Sequence, residues 1–398
     1  MNETRPLIPV ARPWLDEQEA EAARRVILSG WVTQGPEVKA FEEEFAAAVG
    51  AQYACAVSSC TTALHLALKA AGVGPGDEVI TVSHSFIATA NSIRYCSAIP
   101  VFVDIEPGTF NMNPALIEPA ITSRTKAILC VHQMGMPCDL RSIIEIAHRH
   151  SLPVVEDAAC AIGSEINWQG EWQRIGRPHG DVACFSFHPR KLLTTGDGGM
   201  LTTYNADYDR RFRLWRQHSM SVPDTARHAA KSVLFEEYIE LGYNYRMTDI
   251  QAAIGRVQLK RLPEMLARRR QLARRYFELL SSVPGLGLPV EPEWARTNWQ
   301  SFCVRLPDGV DQRTVMQHML DAGVATRRGV MNAHLEPAYR HEPWKCAAEG
   351  SELHEGEMAQ DRSIILPFYH TLTDDEQERV VEVLKKASAE PLIGSLRC

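Results

Sequence analysis

The sequence predicts an α/β protein, with a large, mostly parallel sheet of seven strands and a smaller α+β unit towards the C-terminal end. Three observations carry that expectation. Between residues 54 and 204, short apolar runs alternate with stretches of helical periodicity, the rhythm of strands joined by crossover helices. Beyond residue 204 the texture changes to Arg-, Leu-, Ala- and Glu-rich helical sequence that stops at the Pro284-Gly285 breaker. The chain has 398 residues, 45% hydrophobic and 23% charged, enough to build more than one core.

The seven strands are expected at 54–57, 78–82, 101–104, 127–131, 153–156, 182–187 and 200–204. Helices fall between them at 61–71, 87–96, 114–121 and 140–150, and two more follow at 206–217 and 247–284. The C-terminal unit adds a strand at 302–306, a helix after Asp311, a strand at 324–327 and a last helix. That helix opens with Thr373-Asp374-Asp375-Glu376, a capping box with negative charge in the first turn. Segment 205–246 is the least regular and is expected to contain an active-site or interface loop. The domains read as 1–255, large, and 256–398, small, with the N-terminal segment packing near the small one.

Composition removes several functions. The net charge is -7 and neither Lys nor Arg gathers into a run that could track a phosphate backbone, so no nucleic-acid partner is expected. The opening MNETRPLIPVARPW lacks the apolar core of a signal peptide, and no segment has the apolar length to cross a bilayer. A cytoplasmic location, without membrane association, is the expectation. The ten cysteines are scattered without a C-x-x-C pair and read as reduced, buried small residues, so neither a metal site nor a disulfide framework is expected.

The sharpest local feature is Phe185-Ser186-Phe187-His188-Pro189-Arg190-Lys191, followed by a glycine-rich return to Met200. A strand, a proline-fixed turn and a lysine place one amine at the carboxyl edge of the sheet, where open α/β sheets bind ligands. A desolvated amine favours its neutral form and can form a Schiff base. Taken alone, Lys191 reads more readily as a solvated turn residue. Asp157 closes the apolar strand before it; it reads as a helix cap, or, paired with Lys191, as the carboxylate that keeps a pyridine nitrogen protonated. Ser58-Ser59-Cys60-Thr61-Thr62 opens an apolar helix and suits a phosphate, although capping explains it equally well. Ser186 offers another hydroxyl, and Phe86 an aromatic face for a flat heterocycle.

In this order, the segments resemble the sugar aminotransferases of the DegT/DnrJ/EryC1/StrS family, fold-type I pyridoxal-phosphate (PLP) enzymes. The resemblance covers nearly the whole chain. It includes Gly30-Trp31, Gln34-Gly35-Pro36, Ser59-Cys60-Thr61, Phe86-Ile87-Ala88-Thr89-Ala90-Asn91, Gly135-Met136-Pro137-Cys138-Asp139, Glu156-Asp157-Ala158-Ala159, the lysine segment, Gly242-Tyr243-Asn244-Tyr245-Arg246-Met247 and Leu366-Pro367.

The resemblance implies that Lys191 carries the cofactor, that Asp157 faces the pyridine nitrogen and that Phe86 stacks on the ring. Thr61 and Ser186, with backbone at Cys60 and Thr62, match the phosphate cup. Asn244 matches an asparagine that reaches the cofactor phosphate of the neighbouring subunit, which implies a homodimer. Trp31, Arg328 and His334 are substrate-contact candidates. The implied reaction moves an amino group from L-glutamate to a keto-sugar, nucleotide-linked, in two half-reactions with pyridoxamine phosphate between them.

Lys191 distinguishes the chain from family dehydratases, which lack that lysine. Cys60 stands where many members have Gly or Ala, and Cys160 where many have Gln or His near the cofactor's phenolic oxygen. Segment 326–335 also differs from the Tyr-Pro-rich stretch of many members. Two other readings stand beside this one: transamination of a non-nucleotide ketone or cyclitol, and a PLP-binding regulatory protein without turnover.

Overall fold

The computed structural model describes residues 6–222, 230–347 and 352–389. Its centre is a sheet built from β1 (Tyr53–Val57), β2 (Glu78–Val82), β3 (Ile99–Val103), β4 (Thr125–Val131), β5 (Val154–Asp157), β8 (Val182–Ser186) and β9 (Gly199–Thr203). Between β5 and β8 the chain makes a hairpin of β6 (Glu165–Trp168) and β7 (Glu171–Arg174), which pairs with Ala295–Arg296. The spatial order is β1-β9-β8-β5-β4-β2-β3, and all seven expected strands are present. An eighth strand joins the edge, where Lys345–Cys346 pairs in parallel with β3. Two residues are too few to show period-two alternation, so the sequence alone points to seven. Only β9 runs against its sheet neighbours, β1 and β8.

Side chains alternate across this sheet, as the pleat requires. Ala54, Ala56, Ile80, Val82, Ile128 and Cys130 enter one core; Cys55, Val57, Val79 and Leu129 enter the other. The first layer is closed by Phe41 and Phe45 of helix Pro36–Val49 and by Ile143 and Ile144 of helix Leu140–Arg149. The second is closed by Leu64 of helix Cys60–Ala70 and by Phe212 and Trp215 of helix Ala206–Trp215. Two early helices, Glu17–Ser29 and Pro36–Val49, join the expected set; the first has a capping box between Asp16 and Glu19.

Helix Asp249–Leu280 is continuous and serves two cores. Leu259, Leu262 and Met265 pack into the large core; Leu272, Tyr276 and Leu280 pack into that of the C-terminal unit. Residues 255 and 256 therefore lie within one helix, and the change of core falls between Met265 and Leu272. The C-terminal unit is a three-stranded antiparallel sheet with Ser363–Leu366 between Phe302–Arg305 and Arg327–Arg328. The strand expected at 324–327 is displaced: Val324 instead makes a single bridge to Ile8, which ties the N-terminal segment to this unit. The last helix, Asp374–Ala389, starts with the expected reciprocal bonds between Thr373 and Glu376. Among the described residues, no helix is long and apolar enough to cross a membrane.

A buried charge cluster fixes β1 to its helices. Glu42 accepts Arg213 Nη1 at 2.7 Å, Arg216 Nη1 and the Ala56 N–H at 2.9 Å. Arg216 also donates to the Ala56 carbonyl at 2.7 Å. Removing the carboxylate leaves a buried guanidinium without its counter-charge. Glu42→Ala is expected to destabilise the chain by about 3–5 kcal/mol, read as a lowered denaturation midpoint with an unchanged slope.

Candidate active site

The antiparallel run of β9 gathers the site. Gly199 pairs with Val57 on one side and Ser186 on the other, so the ends of β1 and β8 flank one residue. Asp157 pairs with Cys184 on the next strand, which puts Asp157 at the same edge. A Cβ on Gly199 would meet the Ser59 carbonyl carbon at 2.4 Å and the Cys60 nitrogen at 2.7 Å. Glycine is the residue that lets β9 lie directly against the start of helix Cys60–Ala70.

At that helix start Ser59 is the cap. Its Oγ accepts the Thr62 N–H at 3.2 Å, and Thr62 Oγ1 accepts the Ser59 N–H at 3.2 Å. The Ala63 N–H reaches the Ser59 carbonyl at 3.1 Å. Of the four N–H groups that a helix start leaves open, those of Cys60 and Thr61 carry no bond among the described residues. The Thr62 N–H, expected to face a phosphate with the backbone at Cys60, is bound here by Ser59. Thr61 and Ser186 both line the cavity, while Thr62 does not.

Asp157 is buried at the end of β5. Its Oδ2 accepts Thr89 Oγ1 at 2.8 Å, its Oδ1 accepts the Ala159 N–H at 3.2 Å, and Cys60 Sγ stands 4.0 Å from Oδ1. Burial pushes its carboxyl above the ordinary carboxylate range, against the opposing pull of Thr89, the Ala159 N–H and Lys191. Thr89 was not singled out by its sequence, because a threonine on an amphipathic helix carries no special signal. The structure adds Ser85, whose hydroxyl lies 2.7 Å from that of Thr89.

Lys191 follows a turn in which its N–H reaches the His188 carbonyl at 2.8 Å, with Pro189 at the position where its fixed φ suits a turn. Its Nζ donates to Cys160 Sγ at 3.0 Å. Burial works to depress the amine, but Cys160, with Cys60 and Asp157, outweighs it and lifts the amine above its ordinary range. Desolvation, the effect expected to favour a neutral amine, is opposed here by the nearby sulfur.

Two residues of the C-terminal unit hold both loops. Gln300 Oε1 accepts the Leu192 N–H at 2.9 Å, and its Nε2 donates to the Arg190 carbonyl at 2.6 Å. Asn298 Nδ2 donates at 2.8 Å to the carbonyls of Cys160 and Ile162. Segment 297–300 lacks helical or strand periodicity, so nothing in the sequence marks these side chains.

The groups converge on a cavity of about 440 Å³ between the large unit, the C-terminal unit and the N-terminal segment at Val10 and Ala11. This volume lies within the range of small-molecule sites. Phe86 stands at its mouth, 58% exposed, and Cys60, Cys160, Arg190, Arg327 and Arg328 also line it. Arg328 pairs with Glu336 at 2.8 Å.

Three further candidates lie outside the lining of this chain's cavity. His334 is held away from the cavity by Ser83 Oγ at 2.6 Å and Glu357 Oε1 at 3.1 Å, and serves as a tie between β2 and the C-terminal unit. Trp31 donates through Nε1 to the Gln34 carbonyl at 3.2 Å, outside the cavity lining. Asn244 is exposed, bridges Gln217 and does not reach this chain's cavity.

A lysine loop, a buried carboxylate and an open helix start at one edge of such a sheet are the arrangement expected of a fold-type I PLP-dependent enzyme. Residues 13–385 match the model of the DegT/DnrJ/EryC1/StrS aminotransferase family, and the chain belongs to that family. The spore coat polysaccharide biosynthesis protein SpsC of Bacillus subtilis (strain 168) is 36% identical over 382 residues, 95% of this chain and 96% of its own length. S. venezuelae DesV, solved in complex with a ketimine intermediate, has a TM-score of 0.85 at 33% identity, with 97% of this chain and 100% of that one covered. The PLP-form of Spr1654 from Streptococcus pneumoniae has a TM-score of 0.85 at 26% identity, covering 96% and 98%.

The close contact at Gly199 yields a prediction. Gly199→Ala drives a methyl group into the Ser59 backbone, a strain of about 1–3 kcal/mol. Cofactor affinity, measured by absorbance titration with PLP, is expected to fall about tenfold or more while the chain stays folded; an unchanged affinity contradicts the assigned contact.

Proposed function

We propose that this aminotransferase moves the amino group of L-glutamate to the ketone of a nucleotide-linked keto-sugar, working as a homodimer with shared sites. The single observation that carries the reading is the convergence of Lys191, Asp157 and the open Cys60 and Thr61 N–H groups on one cavity. These groups fit PLP: an amine for its aldehyde, a buried carboxylate for its ring nitrogen, and helix N–H donors with Ser186 for its phosphate.

Bound there, PLP supplies an aldehyde that condenses with amines and a ring that accepts the electron pair released at the adjoining carbon. The remaining work falls to the chain. With the cofactor bound, Lys191 Nζ would be the base that takes the proton from the donor's α-carbon and the acid that returns it at the cofactor's C4′ carbon. Asp157, oriented by Thr89 and the Ala159 N–H, holds a proton on the ring nitrogen. Phe86 covers the ring face, and the helix start anchors the phosphate. The acceptor ketone then runs the same proton transfers in reverse.

Arg190, Arg327 and Arg328 on the cavity wall support an anionic, phosphate-bearing acceptor, since guanidinium groups suit phosphate oxygens. The shared site is supported by Asn244, exposed and remote from its own cavity. Beside it in sequence, Val233, Phe235, Tyr238, Ile239 and Leu241 are all exposed. An apolar run of this kind marks an interaction surface.

Two measurements test the reading. In a single turnover, L-glutamate is expected to discharge the aldehyde absorbance of the loaded enzyme; Lys191→Ala is expected to slow this step by about 10²–10⁴-fold, and Asp157→Asn to slow it as well. Unchanged rates in both variants contradict the roles given. In the second, inactive Lys191→Ala and Asn244→Ala chains are mixed and refolded together. Activity is expected to return, because the mixed dimer rebuilds one intact site; no recovery beyond the parents contradicts the shared site.

A further inference from the structure

Cys160 lies three residues beyond Asp157, in the turn after β5, and its sulfur is the one hydrogen-bond partner of Lys191 Nζ among the described residues, at 3.0 Å. Both ends of this contact sit on backbone that is held from outside. Asn298 binds the Cys160 carbonyl, while Gln300 binds the backbone on either side of Lys191, at the Arg190 carbonyl and the Leu192 N–H. One short segment, 297–300, therefore sets the distance between sulfur and amine.

The other groups facing the amine are engaged elsewhere. Asp157 is occupied by Thr89 and the Ala159 N–H. Cys60 turns its sulfur towards Asp157 Oδ1 at 4.0 Å and the Cys184 carbonyl at 3.6 Å, and burial pushes its thiol far above the ordinary range. His132, Arg190 and Arg328 stand on the other cavity walls without a hydrogen bond to Nζ.

We propose that Cys160 is a positioning residue for Lys191: its sulfur parks the amine against the β5 turn, and breaking that contact limits how fast the cofactor-free chain captures an aldehyde cofactor. This rests on the role proposed for Lys191 as the amine that takes the cofactor.

The chemistry follows from the contact. While it donates to the sulfur the amine is turned towards the β5 turn, and the same neighbour favours its ammonium form, which has no lone pair for attack. Capture requires the ammonium to give a proton to solvent and the side chain to leave the sulfur. The free amine then adds to the aldehyde carbon; a carbon–nitrogen bond forms and the carbonyl oxygen departs as water. No oxidant or further reagent enters. Burial alone pulls the amine below its ordinary range, and the sulfur beside it reverses that. Removing the sulfur should therefore release the amine at a lower pH, whereas a mere change of cavity shape would alter the rate equally at every pH.

The test mixes the full-length, cofactor-free chain with PLP and follows capture by absorbance from about pH 7 to about pH 9.5. Wild type, Cys160→Ala, Cys160→Val and Cys160→Ser are compared, with Lys191→Ala as reference. The ratio of each variant to wild type at the same pH cancels the cofactor's own titrations. The wild-type rate should climb with pH by up to about tenfold per unit, on top of the cofactor's own titration, which all the variants share. Cys160→Ala is expected to capture more than about tenfold faster at about pH 7 and to level off within the window, so that its ratio to wild type falls as pH rises. Cys160→Val keeps bulk without a hydrogen-bond acceptor and should behave the same, which guards against a folding defect in the alanine variant. Cys160→Ser restores a hydrogen-bond acceptor and should move the profile part of the way back towards wild type.

A ratio that stays flat across the window for both the alanine and valine variants overturns the proposal, as does a serine variant that behaves like alanine. Capture that is undiminished in Lys191→Ala points to a different failure, that of the role assigned to Lys191.

Discussion

The close approach of β9 to the start of helix Cys60–Ala70 is the constraint on which the site depends. With only a hydrogen at position 199, the antiparallel strand runs between β1 and β8 and lies flat against the Ser59 carbonyl. The two open N–H groups of the helix, the Ser186 hydroxyl and the lysine loop are brought to one sheet edge by that pairing. The loop itself is the connection between β8 and β9, closed by the Phe187 and Thr195 backbones. A phosphate seat and an amine are thereby placed by the same strand.

A second layer of control comes from outside the sheet. Asn298 and Gln300 belong to the segment that leads into the C-terminal unit, yet their amides terminate on the turns that carry Cys160 and Lys191. Arg269, from the helix shared by both cores, donates to the carbonyls of Trp299 and Gln300 at 3.1 and 2.9 Å. It is buried without a carboxylate partner among the described residues, and burial pulls its guanidinium down to about 9. A charged group in that setting fixes backbone strongly, because its hydrogen bonds to carbonyls have no solvent to compete with. The geometry of the lysine loop is in this way coupled to the packing of the second unit.

Much of the fold was legible because its signals are local. Short, mostly apolar runs such as 78–82 and 127–131 mark strands buried on both faces, and the serines before Cys60 mark a helix start. Lys191 and Asp157 were legible as a pair, at the ends of neighbouring strand patterns. What escaped is non-local. Thr89 looks like any helix residue until β5 folds beside it, and Asn298 and Gln300 act on loops more than a hundred positions away. His334 follows a basic cavity segment in sequence, but Ser83 and Glu357 turn its ring elsewhere. The sulfur beside Lys191 is visible in the sequence as a departure at position 160; its distance from the amine is not.

The central claim is that one amine, Lys191 Nζ, carries the cofactor. It is tested most directly by reducing the PLP-loaded chain with borohydride, digesting it and locating the cofactor by mass spectrometry. The account predicts a single adduct, on the peptide containing Lys191. An adduct on another lysine, or none on this peptide, would contradict it.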